Sequence, residues 1–262
     1  MSVWMILLVF VILILVLVSL VLYLIQEKFI FHGIKIPVDY NFNFEHDFEE
    51  MNLSTEDGEV LNAVLFKRQE PKGLILFFHN HSGNVIKWSD TAIFFSNYNY
   101  NVLLVDYRGF GKSTGKFDEN KMQEDAGLWY NLVKDQYSEI IVFGRGIGAY
   151  FAARVAANNT VDQLILESPV YNLTRAGKYI YPYQPYYLLL KYKFDCSEDI
   201  KRVHCKTTIL HGKKDSVVCY RSSQDLYELN RDHVELILIE DADHFNIMNH
   251  PVYLETIEKL LT

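Results

Sequence analysis

The chain has 262 residues, a formal net charge of −8 and a hydrophobic share of 50%. That balance argues against nucleic-acid binding, because no basic stripe exists to neutralise phosphates, and against loose adhesion to anionic lipid surfaces. Cys196, Cys205 and Cys219 are odd in number and lack any Cys-x-x-Cys spacing, so neither a zinc site nor a disulfide framework is expected, although one pair stays open.

Val3 to Ile25 is an apolar run with only Ser19 as a mild exception. At about 1.5 Å per residue it can cross a hydrocarbon core of roughly 30 Å. A cleaved signal peptide needs a basic start, a shorter apolar stretch and a small-residue cleavage site, and none is present. Residues 1–26 are therefore expected to be a retained single-pass anchor in membrane lipid, with Trp4 and Tyr23 near the two interfaces. Lys28 and Lys35 follow the span and no Lys or Arg precedes it, a lean toward a cytoplasmic domain. Residues 27–43 read as a membrane-proximal lead broken by Pro37, and 44–262 as one domain without internal repeat.

Eight apolar runs bounded by turn residues follow: Phe48 to Leu53, Val60 to Phe66, Leu74 to Phe78, Val102 to Val105, Ile140 to Phe143, Leu164 to Leu166, Thr208 to Leu210 and Leu236 to Ile239. Glu56-Asp57-Gly58 makes a hairpin turn between the first two, and the later gaps are long enough for crossover helices. Helices are predicted over Asn84 to Phe95, Asn120 to Lys134, Ile147 to Ala157, Val217 to Leu229 and His250 to Leu261. The fold class is thus α/β, an eight-stranded, mostly parallel sheet with helices on both faces, preceded by one transmembrane helix. Residues 169–195 depart from the pattern with Tyr171, Tyr179, Tyr181, Tyr183, Tyr186, Tyr187 and Tyr192. The segment leaves a strand's C-terminal end, where a lid would sit, and its tyrosines are read chiefly as cover for apolar surface.

The organising stretch is Glu139 to Ser168, a strand, a turn Gly144-Arg145-Gly146-Ile147-Gly148-Ala149, a helix and a second strand. Two chemistries use such a corner. In a nucleophile elbow the glycines hold a strained serine above the sheet, but position 146 is glycine. In a dinucleotide fingerprint, Gly144, Gly146, Ala149 and the later Glu167 would serve a pyrophosphate and a ribose. The turn alone fits both. Gly111-Lys112-Ser113 suggests a phosphate loop, yet Asp106 stands where that loop needs its first glycine.

Other strand ends carry His79-Asn80-His81-Ser82-Gly83-Asn84, Asp106 to Ser113, His211 to Asp215 and Asp243-His244. An aspartate and then a histidine, each just past a strand and both downstream of the elbow, follow the order nucleophile, acid, base. A carboxylate fixes an imidazole's tautomer and supports its positive charge, while the imidazole takes and returns a proton.

With these motifs in this order, the chain from about Gln26 onward resembles the α/β-hydrolase-fold serine hydrolases. It is most similar to the small, N-terminally anchored alpha/beta hydrolase domain-containing or serine aminopeptidase-like branch. The resemblance implies Asp215 as triad acid, His244 as base, the N–H groups of His81 and Ile147 as oxyanion hole, and Gly146 at the nucleophile position. It implies a small acyl, ester or peptide-like ligand, with no cofactor and no metal. Two positions depart from the pattern: Asn80 replaces a glycine and crowds the hole, and Gly146 replaces the serine. The dinucleotide reading weakens, since four strands precede the one leading into this turn and it leaves Asp215 and His244 without a role.

The expectation is a membrane-anchored protein of the ester, thioester or amide hydrolase lineage, impaired in catalysis. The alternatives are a weak or ordinary hydrolase, using a water or a substitute hydroxyl from Ser82, Ser113 or Ser168, and a serine-to-glycine exchange introduced into an active enzyme. Each of those serines is first read as a turn or capping hydroxyl.

Overall fold

Residues 2–180 and 189–262 are described by the computed structural model. Helix α1, Val3–Ile25, starts at Ser2, whose hydroxyl accepts the Met5 N–H, and none of its residues is buried. It is long and apolar enough to cross a membrane. A helix apolar all round and uncovered by its own protein needs lipid or a partner around it.

Helix α2, Glu27–Ile30, follows directly. The buried Gln26 between the two helices accepts the Lys191 N–H at 2.8 Å and donates to Leu189 O at 3.4 Å. Beside it, the Tyr192 hydroxyl and the Lys191 ammonium both bond Glu27 Oε1, at 2.6 and 2.7 Å. The foot of α1 is thereby fastened to the chain that returns from the tyrosine-rich excursion. Phe31 is buried beneath it, stacked on Phe117 at 4.3 Å and edge-on to Tyr192. Ile36 and Phe42 enter the core on the other face of the sheet, so the lead packs closely on the domain.

Strands β1 (Phe48–Ser54), β2 (Val60–Phe66), β3 (Leu74–Phe78), β4 (Asn101–Val105), β5 (Ile140–Arg145), β6 (Gln163–Glu167), β7 (Lys206–Gly212) and β8 (Val234–Ile239) form one sheet in the order 8-7-6-5-3-4-2-1. The β1–β2 and β2–β4 pairs are antiparallel and all others parallel. Period-2 alternation splits each strand between two cores. Leu76, Phe78, Val142 and Leu164 face α4 (Glu119–Val133), α5 (Gly148–Asn158) and α8 (Arg221–Leu229). Phe77, Phe143 and Ile165 face α3 (Val85–Ser96) and α9 (Pro251–Leu261). Helix α3 starts where the Asn84 side chain accepts the Ile86 and Lys87 N–H groups, and α4 where Asp118 accepts that of Lys121.

Among the described residues, three short α-helices, α2, α6 (Leu173–Ile180) and α7 (Cys196–Ile200), and the 3-10 turn Ile247–Asn249 escaped the sequence reading. Helices α2 and α7, of 4 and 5 residues, are too short to display a helical period. The helix expected from Val217 begins only at Arg221, because the Asp215 carboxylate captures the N–H groups of Val217 and Val218 in a turn. The excursion between β6 and β7 closes on itself, Leu173 N–H donating to Lys193 O and Cys196 N–H to Tyr171 O. Of its tyrosines, Tyr192 is buried as cover for the core, Tyr171 is half-buried and Tyr179 is exposed. Tyr181, Tyr183, Tyr186 and Tyr187 lie outside the described residues.

Candidate active site

The corner after β5 is made by two glycines with different duties. Gly146 has φ +58°, a left-handed conformation that favours glycine. Gly148 opens α5 so close to β3 that a Cβ there would lie 2.1 Å from Phe78 O and 2.5 Å from His79 O. The helix N-terminus is thus driven against the strand end, aiming its partial positive charge at the space above Gly146.

Asp215, after β7, and His244, after β8, meet at this corner. His244 Nδ1 lies 2.8 Å from Asp215 Oδ2, while Asp215 Oδ1 accepts the Val217 and Val218 N–H groups at 2.8 and 2.7 Å. His211 approaches the same carboxylate at 3.4 Å and bonds Val218 O and the Ser223 hydroxyl. Burial would raise the Asp215 carboxyl, but the bonds from His211, His244 and Val218 outweigh it and hold the group well below the usual carboxylate range. The result is an ionised Asp215 that sets His244 with Nδ1–H donating and Nε2 as acceptor.

Among the described residues the Nε2 atom bonds no hydroxyl. It lies 3.2 Å from Asn80 Nδ2, and Asn80 Oδ1 accepts both the His81 N–H and the His81 ring Nδ1–H at 2.7 Å. The main-chain donor fixes which end of the amide is oxygen, so the chain of bonds runs one way, from His81 through Asn80 and His244 to Asp215. Burial, with His32, His244 and Lys87 nearby, pulls the His81 pKa down to about 4, so this ring is neutral near pH 7. The main chain at Asn80 is also held, because His79 Nδ1 donates to Asn80 O at 2.7 Å from a fully buried ring paired with Asp106.

Of the two N–H groups expected at the oxyanion position, that of His81 is therefore engaged. That of Ile147 donates to no protein acceptor among the described residues. Neither Ser82, Ser113 nor Ser168 bonds His244. Ser82 Oγ accepts from Lys87 Nζ at 2.8 Å. Ser113 is fully buried, donating to Asp106 O and accepting from Asn62 N–H. The buried Ser168 hydroxyl has no partner among the described residues.

Glu167, weighed as a ribose ligand, is fully buried; it pairs with Arg145 at 2.7 Å and accepts the Tyr253 hydroxyl at 2.9 Å. Arg145 also donates to His244 O at 2.6 Å, and its guanidinium lies 5.2 Å from the Trp88 ring. This buried group ties the end of β5 to the loop bearing His244. Sequence reading missed it because the ion pair joins two different strand ends.

Two cavities flank the corner. One of about 590 Å³ lies under α2 and α6, with Ile30, Val170, Leu173 and Tyr179 among its walls. The other, about 430 Å³, has Lys87, Trp88, Arg145 and Phe245 in its lining. Asn80, His81, Val217 and His244 line both, so the Asn80–His244 contact lies between them. No group of three or more metal-ligating side chains exists among the described residues, and the three cysteines are free.

A family model described as serine aminopeptidase, S33, matches residues 69–191. An uncharacterized protein of Acanthamoeba polyphaga mimivirus is 25% identical over 82% of this chain and 81% of its own length. Alpha/beta hydrolase domain-containing protein 17B of Xenopus tropicalis is 26% identical over 76% of this chain and 70% of its own. Alpha/beta hydrolase domain-containing protein aho-3 of Caenorhabditis elegans is 28% identical over 62% of this chain, which spans only 49% of that relative. Among solved structures, an esterase of Pyrococcus furiosus superposes with a TM-score of 0.70 at 21% identity, over 88% of this chain and 95% of that one. The fold is that of the α/β hydrolases, and the family model and relatives support the same family.

Proposed function

We propose, on the premise that this chain is an α/β-hydrolase-fold protein, that it is a membrane-tethered binder of small acyl or ester ligands, impaired in the hydrolysis of its lineage. The single observation that carries this reading is the partner of His244 Nε2: an amide nitrogen at 3.2 Å where a general base needs a nucleophile's hydroxyl. Gly146 offers no oxygen to activate, and His81 N–H is bonded within the chain. What remains is a pocket. Its apolar walls on α2 and α6 sit beside the foot of α1, so a ligand carrying an acyl chain would pass from lipid to protein without crossing much water. The tether is α1 itself, and Lys28 and Lys35 after it favour a cytoplasmic domain.

A second reading, hydrolysis through a water held by His244, draws support from the intact Asp215–His244 contact. It requires the Asn80 amide to leave Nε2. Binding and hydrolysis separate when the detergent-purified chain is incubated with p-nitrophenyl octanoate and the protein fraction is extracted for mass spectrometry. The binding reading expects intact ester at up to one per chain. Recovery of octanoate alone, produced faster than in buffer, would reject it.

A further inference from the structure

We infer that the Asn80 side chain is an internal plug: its carboxamide occupies the place of a ligand's reacting carbonyl and forms a matched pair with Gly146. The inference rests on the acyl-binding reading above and adds what contests the ligand's place beside His244.

The atoms of the amide reproduce a docked acyl group. Oδ1 accepts His81 N–H at 2.7 Å, as a carbonyl oxygen in an oxyanion hole would, and Nδ2 meets His244 Nε2 at 3.2 Å, on the side of a nucleophile or leaving group. The place itself is given by Gly146. A Cβ at that residue would lie 2.4 Å from Asn80 Oδ1, 2.8 Å from Cγ and 3.1 Å from Nδ2. The amide therefore stands against the elbow, in volume that a nucleophile's side chain needs. Asn80 is buried, and its main-chain carbonyl is fixed by the fully buried His79. Only rotation of the side chain can clear the site, and that breaks the bonds to His81 and His244 together.

The same contact divides the space. Asn80 and His244 line both the apolar cavity under α2 and α6 and the smaller cavity beside Lys87 and Arg145. Withdrawing the amide would join them into one ligand path past His244 and the Ile147 N–H. It follows that a serine at position 146 must displace the Asn80 amide before its Cβ fits, and its hydroxyl then competes with that amide for His244 Nε2 and the His81 N–H.

The test uses the full chain in detergent micelles and an alkyl fluorophosphonate. With this probe a serine Oγ–P bond forms as the P–F bond breaks, the hydroxyl proton passing to His244 and fluoride leaving. The single variant Gly146→Ser is compared with Asn80→Gly/Gly146→Ser, thermal melting serving as the fold control. Since losing one oxyanion donor costs about 10²- to 10³-fold, the double variant is expected to label at least about 100-fold faster. Equal labelling of the two, or no labelling of either when both are folded, overturns the plug. Should the double variant not fold, Asn80→Gly alone decides through decanoate binding by calorimetry. An affinity about tenfold tighter than the parent is expected, the effect of one uncontested hydrogen bond; unchanged affinity overturns the inference. Ester turnover by the parent chain, by contrast, would sink the impaired-hydrolase reading on which the plug rests.

Discussion

Arg145→Met removes the cation from a fully buried Glu167. Breaking such a pair on one side costs about 3–5 kcal/mol, because the surviving charge is left in a medium that cannot solvate it. For a domain of this size each kcal/mol moves the melting temperature by about 2–4 °C, so a fall of about 6–20 °C is expected. The companion Arg145→Met/Glu167→Gln removes both charges and leaves an amide oxygen for the Tyr253 hydroxyl, which now donates to Glu167 at 2.9 Å. It should recover more than half of the loss. Differential scanning calorimetry of the detergent-solubilised chain reads both values. If the single variant melts within about 2 °C of the parent, less than 1 kcal/mol, or if the double variant melts no higher than the single, Arg145–Glu167 does not act as a buried pair.

Two further outcomes follow from close geometry and charge. Gly148→Ala would place a Cβ 2.1 Å from Phe78 O, so α5 must move off β3. A backbone contact is hard to relieve, and a loss of about 1–3 kcal/mol or more is expected in urea unfolding; wild-type stability would show that the approach is looser than described. Asp215→Asn should destabilise in a pH-dependent way. The folded Asp215 is held below its usual range, so its stabilisation is fully present above the unfolded value of about 3.9. It is lost as the pH falls toward the depressed folded value. The contribution of Asp215 to the melting gap between parent and variant should therefore shrink on acidification below about pH 4. A gap that widens on acidification below about pH 4 would contradict the assignment.

Much of the fold was legible because its strands are short β-branched and aromatic runs, each closed by turn residues. Their spacing admits a hairpin once and crossovers thereafter. The sequence also pointed to Asp215, His244 and Gly146 through their order along the chain, and the structure brings all three to one corner. Helix boundaries failed where side chains compete for main-chain groups: Asp215 takes two N–H groups that a helix from Val217 would have needed internally. Asn80 was visible as a departure crowding the oxyanion loop, yet its bond to His244 spans 164 positions and leaves no mark in local spacing. Glu167 was equally opaque, since its partners Arg145 and Tyr253 come from another strand and the last helix. Pairings of this kind are set by packing, not by periodicity.

The most direct test of the whole account is the steady-state hydrolysis of p-nitrophenyl butyrate and octanoate by the full chain beside His244→Ala, in the same detergent. With Asn80 on His244 Nε2 and no hydroxyl at Gly146, both proteins are expected to match the detergent blank. Turnover by the parent that His244→Ala abolishes would mean that His244 activates a nucleophile after all, and the account of an impaired site would be wrong.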